Sequence, residues 1–123
     1  GMFMIGTSRS ISDVSDGTSN TFLVGEVSWS DRGGATTRYE ALTRGWDNRY
    51  GNWMPSGKNL FLPINSDYGA TWNDFSFGSN HPGGTHFLMV DSSTHFVSES
   101  VEFDVYRATG SRNGKEPASI VQN

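Results

Sequence analysis

The chain has 123 residues, one domain (1–123) by length, and is large enough to bury a core without covalent staples. Only 34% of its residues are hydrophobic and 15 are glycines, which favours short strands and turns over long helices. A net charge of −4 argues against a nucleic-acid partner, and the absence of cysteine excludes disulfides, thiolate metal sites and thiol nucleophiles.

In chain order, "SRSISDVSDG" begins with a short helical turn capped by Ser10 or Ser12 and closed by Gly17. "TFLVGEVSW" (21–29) reads as a central strand with two apolar faces. Strict alternation puts Phe22, Val24 and Glu26 on one face and Leu23, Val27 and Trp29 on the other. Residues 30–80 are rich in Gly and aromatics and read mostly as long loops, which inside a domain are usually functional or mobile. Within them "KNLFLPIN" (58–65) is broken by Pro63 and is at best a short edge strand. "THFLMVD" (85–91) and "THFVSESV" (94–101) form a hairpin. Its alternation groups Phe87, Met89 and Phe96 on one face, and His86, Leu88, Val90, His95 and Val97 on the other. "EFDVYRATGSRNG" (102–114) follows as a short helix capped by Glu102 or Ser100, with Phe103 and Tyr106 packed on the sheet. The expected fold is α+β: an antiparallel sheet with a C-terminal hairpin, then a short helix.

All three histidines lie between positions 81 and 95. With Ser92-Ser93 as a two-residue loop, His86 and His95 stand roughly 13 Å apart, too far to share a metal. With Asp91-Ser92 as the loop, they become diagonal neighbours about 7–8 Å apart, within reach of a bridging zinc ion. Ser suits neither primed turn well. The ordinary reading is that each ring packs on the sheet and bonds water or a carbonyl. His81 precedes the turn Pro82-Gly83-Gly84 and folds back over either strand end.

Two blocks carry a family resemblance. "DGTSNTFLVGE" (16–26) resembles D-G-T-S-N-T-x-L-V-G-E, and "HPGGTHFLMVDSSTHFV" (81–97) resembles H-P-G-G-x-x-F-x-x-x-D-G-S-x-x-F, an H-x9-D-G signature. "VEFDVYRATGSRNGKE" is similar to I-D-P-x-x-x-R-A-L-A-T-R-x-G-G-E, which aligns Arg107, Arg112 and Glu116. Together they resemble a prepilin-like, planctomycete-type bacterial family, domain of unknown function 1559, also called solute-binding-protein-like. Ser92 departs from its Asp-Gly turn, Phe103 from its helix-starting Pro and Lys115 from a Gly. The D-G turn of the family favours Asp91-Ser92 as the loop. The family's N-terminal prepilin helix is not among these residues, so the chain reads as the C-terminal globular part or as a divergent short member.

The resemblance implies a pseudopilin-like head with long Gly/Trp-rich loops. It also implies a cell-envelope or extracellular location, and protein partners such as other pilin-like subunits. Membrane attachment would run only through that N-terminal helix. The motif residues are Asp16, Gly17, Ser19, Asn20, Glu26, His81, Pro82, Gly83, Gly84, Asp91, Arg107 and Arg112. Asp16, Ser19 and Asn20 suit a side-chain-to-backbone turn network around Gly17; a calcium loop is the alternative, since calcium takes several such oxygens. Asp91 is expected to accept N–H groups across its turn. His81 is expected to donate to a backbone carbonyl. Glu26 needs a partner if buried, with Arg107 or Arg112 the candidates.

Three functions compete. The first is a non-enzymatic structural or assembly head in an envelope-associated or secretion-type filament, with no cofactor. The second is a glycan- or peptide-binding module that uses Trp46, Tyr50, Trp53 and Trp72, because loop aromatics suit flat ligand faces. The third, a hydrolase using His81 or His95 with Asp91, lacks a nucleophile elbow or oxyanion loop, and no enzymatic activity is expected.

Overall fold

The computed structural model describes residues 2–3, 7–27, 60–66 and 76–115. The tryptophans, Tyr50 and Glu116 lie outside these residues. Two short 3-10 turns come first, Ile11–Asp13 and Thr18–Asn20. Strands β1 (Phe22–Gly25), β2 (Gly84–Met89) and β3 (Thr94–Ser98) follow, then helix α1 (Phe103–Thr109). Among the described residues the strands form one antiparallel sheet in the order β1-β2-β3. The α+β expectation, a C-terminal hairpin followed by a short helix, matches this order. No helix in the described residues is long and apolar enough to cross a membrane.

Ser10 stands at the N-cap of the first turn as expected, its N–H donating to the Asp13 carboxylate at 2.8 Å, but the turn closes at Val14, and Gly17 instead opens the second turn. Strand β1 is shorter than residues 21–29 and is interrupted by a bulge. Phe22 pairs with Met89, but Val24 pairs with Leu88 and Gly25 with Phe87, so the register slips by one residue between Phe22 and Val24. A one-residue insertion reverses side-chain parity. Phe22 therefore faces the core, whereas Val24 is exposed and Glu26 follows it onto the outer face. This corrects the reading that placed all three together.

The hairpin also differs from both two-residue loops. Leu88 pairs with Thr94, and the Met89 N–H donates to the Ser93 carbonyl at 2.8 Å. Val90, Asp91 and Ser92 thus form a three-residue loop. Ser92 has φ 72°, the left-handed conformation that such a loop needs at its last position. The family's glycine would sit there without a Cβ penalty. The added loop residue exchanges the faces of β3. Val97 is buried opposite Thr85, and Phe96 is half exposed opposite His86.

The core lies on the inner face of the sheet. Phe22 stacks on Phe87 at 4.1 Å, and Phe77 meets Phe87 edge-on at 5.0 Å. Tyr106 of α1 packs against both Phe22 and Phe87 at 6.0 Å, joined by Ile64, Met89 and Val97. Gly25 sits under this cluster: a Cβ there would lie 2.5 Å from Phe77 and 2.6 Å from Phe87, so no other residue fits without displacing rings. Burial raises the pKa of the Tyr106 hydroxyl, which has no hydrogen-bond partner among the described residues. The segment from Leu60 to Ser66 forms bends and a turn rather than an edge strand, and it contributes buried Leu62 and Ile64.

Candidate functional site

The β2–β3 hairpin has a closed end, at the Val90–Ser92 loop, and an open end, where the chain enters β2 and leaves β3. The two family-like blocks meet at both ends. At the closed end the meeting is through backbone. The Val90 N–H donates to the Thr21 carbonyl and the Asp91 N–H to the Thr18 carbonyl, both at 3.0 Å. Asp91 accepts the Ser93 N–H at 2.9 Å and the Ser93 hydroxyl at 2.6 Å, as its turn position led one to expect. These bonds from the Ser93 hydroxyl and N–H hold the Asp91 carboxyl below the usual carboxylate range.

Asp16 is a backbone clamp of longer reach than a local turn. Its two oxygens accept the N–H groups of Gly114 at 2.7 Å and Lys115 at 2.9 Å. Desolvation pushes its pKa up, but the Lys115 and Gly114 N–H groups, with the Ser111 side chain and the Lys115 charge, together outweigh it and the net shift is downward. The N–H groups of Ser15 and Asp16 donate to the Arg112 carbonyl, and the Arg112 side chain donates to the Asp13 carbonyl at 3.3 Å. Gly17 has φ 96° and its carbonyl accepts the Asn20 N–H. Ser19 is exposed.

At the open end the meeting is through side chains. Glu26 follows β1, and its N–H donates to the His86 carbonyl at 3.1 Å. Its carboxylate Oε2 accepts the His86 N–H at 2.7 Å and the Thr85 hydroxyl at 3.1 Å, and lies 3.2 Å from His86 Nδ1. Oε1 lies 3.7 Å from His81 Nε2. The His86 N–H is the main cause holding the Glu26 carboxyl below its usual range. Partial desolvation opposes it, and the His86 ring and Thr85 hydroxyl add to it.

Glu26 is thus not paired with either arginine. The bulge places it on the outer face, while α1 packs on the inner face through Tyr106. Arg107 lies instead over the Phe103 ring at 5.7 Å, and Arg112 serves the Asp13 carbonyl.

His81 does fold back over the start of β2, as one of the two strand ends open to it. Its ring meets His86 edge-on at 5.3 Å and faces a carboxylate rather than the backbone carbonyl expected for it. The turn that carries it is braced: the Ser79 hydroxyl donates to the Gly84 carbonyl at 2.6 Å and accepts the His81 N–H at 3.0 Å. Pro82 and Gly83 are exposed in this turn, with Gly83 at φ 80°. Gly84 is buried where a Cβ would strike the Val97 carbonyl.

His86 and His95 do not meet. His86 lies opposite Phe96 on the outer face, and His95 lies opposite Phe87 on the inner one, its Nε2 3.0 Å from the Ser93 hydroxyl. The histidine pair that the structure assembles is His81 with His86, and the residue that joins them is Glu26. The candidate ligand atoms of these three all lie within 4.8 Å of one another. Alternation alone puts Glu26 on the same face as Phe22. Only the bulge turns it toward His86, and nothing in "TFLVGEV" announces a bulge beyond the glycine itself.

The family model described as "Protein of unknown function (DUF1559)", SBP_bac_10, matches residues 1–104, and the chain belongs to that family. No curated protein and no solved structure matches it.

Proposed function

We propose that this member of the DUF1559 family is a non-enzymatic, pseudopilin-like head with a structural or assembly role in an envelope-associated or secretion-type filament. The observation that supports this reading is how its family-like residues are spent. Asp16 clamps two N–H groups near position 115, Asp91 organises its own turn, and the carbonyls of Thr18 and Thr21 hold that turn in place. Groups engaged in holding backbone and turn make a joint that sets shape. The partners this reading implies are other pilin-like subunits.

The test is photo-crosslinking in the producing bacterium, with a photoreactive residue at exposed Ile11 or Phe103. The expected result is adducts to pilin-like subunits in the envelope fraction. Adducts only to unrelated proteins, or a protein found only as a free monomer, would overturn the reading.

A further inference from the structure

We propose that Glu26, His81 and His86 form a binding site for one divalent transition-metal ion of the zinc type, with one coordination position left open to solvent. The composition sets the class. Two imidazoles and one carboxylate suit zinc and its neighbours, whereas calcium and magnesium take oxygen ligands almost exclusively.

The geometry is close to what such an ion needs. Zinc ligands sit about 2.0–2.2 Å from the ion, so tetrahedral ligand atoms stand about 3.3–3.5 Å from one another. The two carboxylate–imidazole separations, 3.2 Å from Oε2 to His86 Nδ1 and 3.7 Å from Oε1 to His81 Nε2, fall on either side of that spacing, one on each carboxylate oxygen. All the ligand atoms lie within 4.8 Å of one another, so closure takes no more than about 1.5 Å of movement between any two of them. His81 is the ligand free to supply it, since its side chain is 58% exposed on a braced turn.

The carboxylate is held in place before any ion arrives. The Thr85 hydroxyl and the His86 N–H both donate to Oε2, the kind of supporting bond that orients a ligating carboxylate. Binding through Nδ1 puts the ring proton of neutral His86 on Nε2, so the ion takes the place of the proton that Nδ1 shares with Glu26 Oε2 in the metal-free protein. The site faces outward beside Phe96, whose ring meets His86 at 5.1 Å and covers one flank. The ion would tie the end of β1 to the turn that precedes β2, joining the two family-like blocks through side chains at the end where backbone does less.

The experiment uses the full chain without a histidine tag, freed of metal with EDTA and then titrated with zinc chloride by calorimetry. Imidazole resonances are followed by NMR on the same unmodified protein. One equivalent of zinc is expected to bind at micromolar affinity or tighter, shifting the His81 and His86 resonances and leaving His95 unmoved. His81→Ala and His86→Ala, each checked for its native circular dichroism, should weaken binding by no less than the about 10–100-fold that loss of a mere outer-shell partner costs. His95→Ala should bind as the parent does. No saturable binding to the unmodified protein, resonance shifts centred on His95, or undiminished affinity in both folded site variants would each overturn the proposal.

Discussion

The two ends of one hairpin solve the same problem with different materials. At the closed end, Val90 and Asp91 bond to the carbonyls of Thr21 and Thr18, and Asp91 is satisfied by Ser93 two residues on. At the open end, Glu26 reaches across to His81 and His86 with side chains that are 39%, 58% and 42% exposed. A joint made through backbone N–H and carbonyl groups brings no set of side-chain ligands together across the two blocks. A joint made of half-exposed imidazoles and a carboxylate keeps ligand atoms in reserve, and that difference separates scaffold from candidate site here.

The largest effect is expected where the two ends share one support. Phe87 is 1% exposed, stacks on Phe22 below the closed end and meets Phe77 below the open one. Phe87→Ala should cost about 3–5 kcal/mol, the usual range for a large core truncation. Urea denaturation should show a lower midpoint with an unchanged slope, and amide exchange should rise at both ends together. Exchange that rises at the open end alone would show that the ends are energetically separate and that the shared core does not couple them.

What the sequence made legible and what it hid follow from range. The hairpin, α1 and the Ser10 cap are local: alternation, a 3.6-residue period and a capping side chain are each visible within about ten residues. Parity is not. One extra residue in β1 moves Glu26 from the side of Phe22 to the side of His86, and one extra residue in the Val90–Ser92 loop exchanges Phe96 with Val97. Hydrophobicity could not arbitrate, since both faces of each strand carry apolar residues. The Asp16 clamp spans 98 residues and leaves no sequence periodicity to read. The His86–His95 pairing failed for the same reason as the Glu26–arginine pairing: each rested on a register that a single residue overturns.

The closed end offers a sharper probe of intermediate size. Ser92 holds φ 72° at the loop position where the family pattern has glycine. A non-glycine residue in that conformation costs roughly 1–2 kcal/mol, part of which glycine gives back through its freer unfolded chain. Ser92→Gly should therefore stabilise the protein by about 0.5–1 kcal/mol, read as a higher urea midpoint with the zinc titration unchanged. A loss of stability would mean that the Ser92 side chain makes a contact worth more than its backbone strain.

The smallest effect distinguishes the ends by acid. The Glu26 carboxyl is held below its ordinary range chiefly by the His86 N–H, and the Asp91 carboxyl by the Ser93 hydroxyl and N–H. For a carboxylate depressed by folding, the unfolded chain takes up its proton first as pH falls. Its contribution is therefore complete above the unfolded value of about 4 and is lost as pH drops through the lower folded value. In metal-free buffer the unfolding midpoint should stay level in this respect above about pH 5 and decline below it. Glu26→Gln and Asp91→Asn should each make the decline shallower, and modestly, because water screens groups this exposed. The discriminating outcome comes on adding zinc. An ion at Glu26, His81 and His86 needs both imidazoles neutral, so zinc should raise the midpoint of the parent and of Asp91→Asn at about pH 7 and lose that gain as pH falls toward about 5. The same addition should leave the Glu26→Gln curve nearly where it was. If zinc moved all three curves equally, the ion would be acting away from the open end, and the contrast between a backbone joint and a ligand-bearing one would fail.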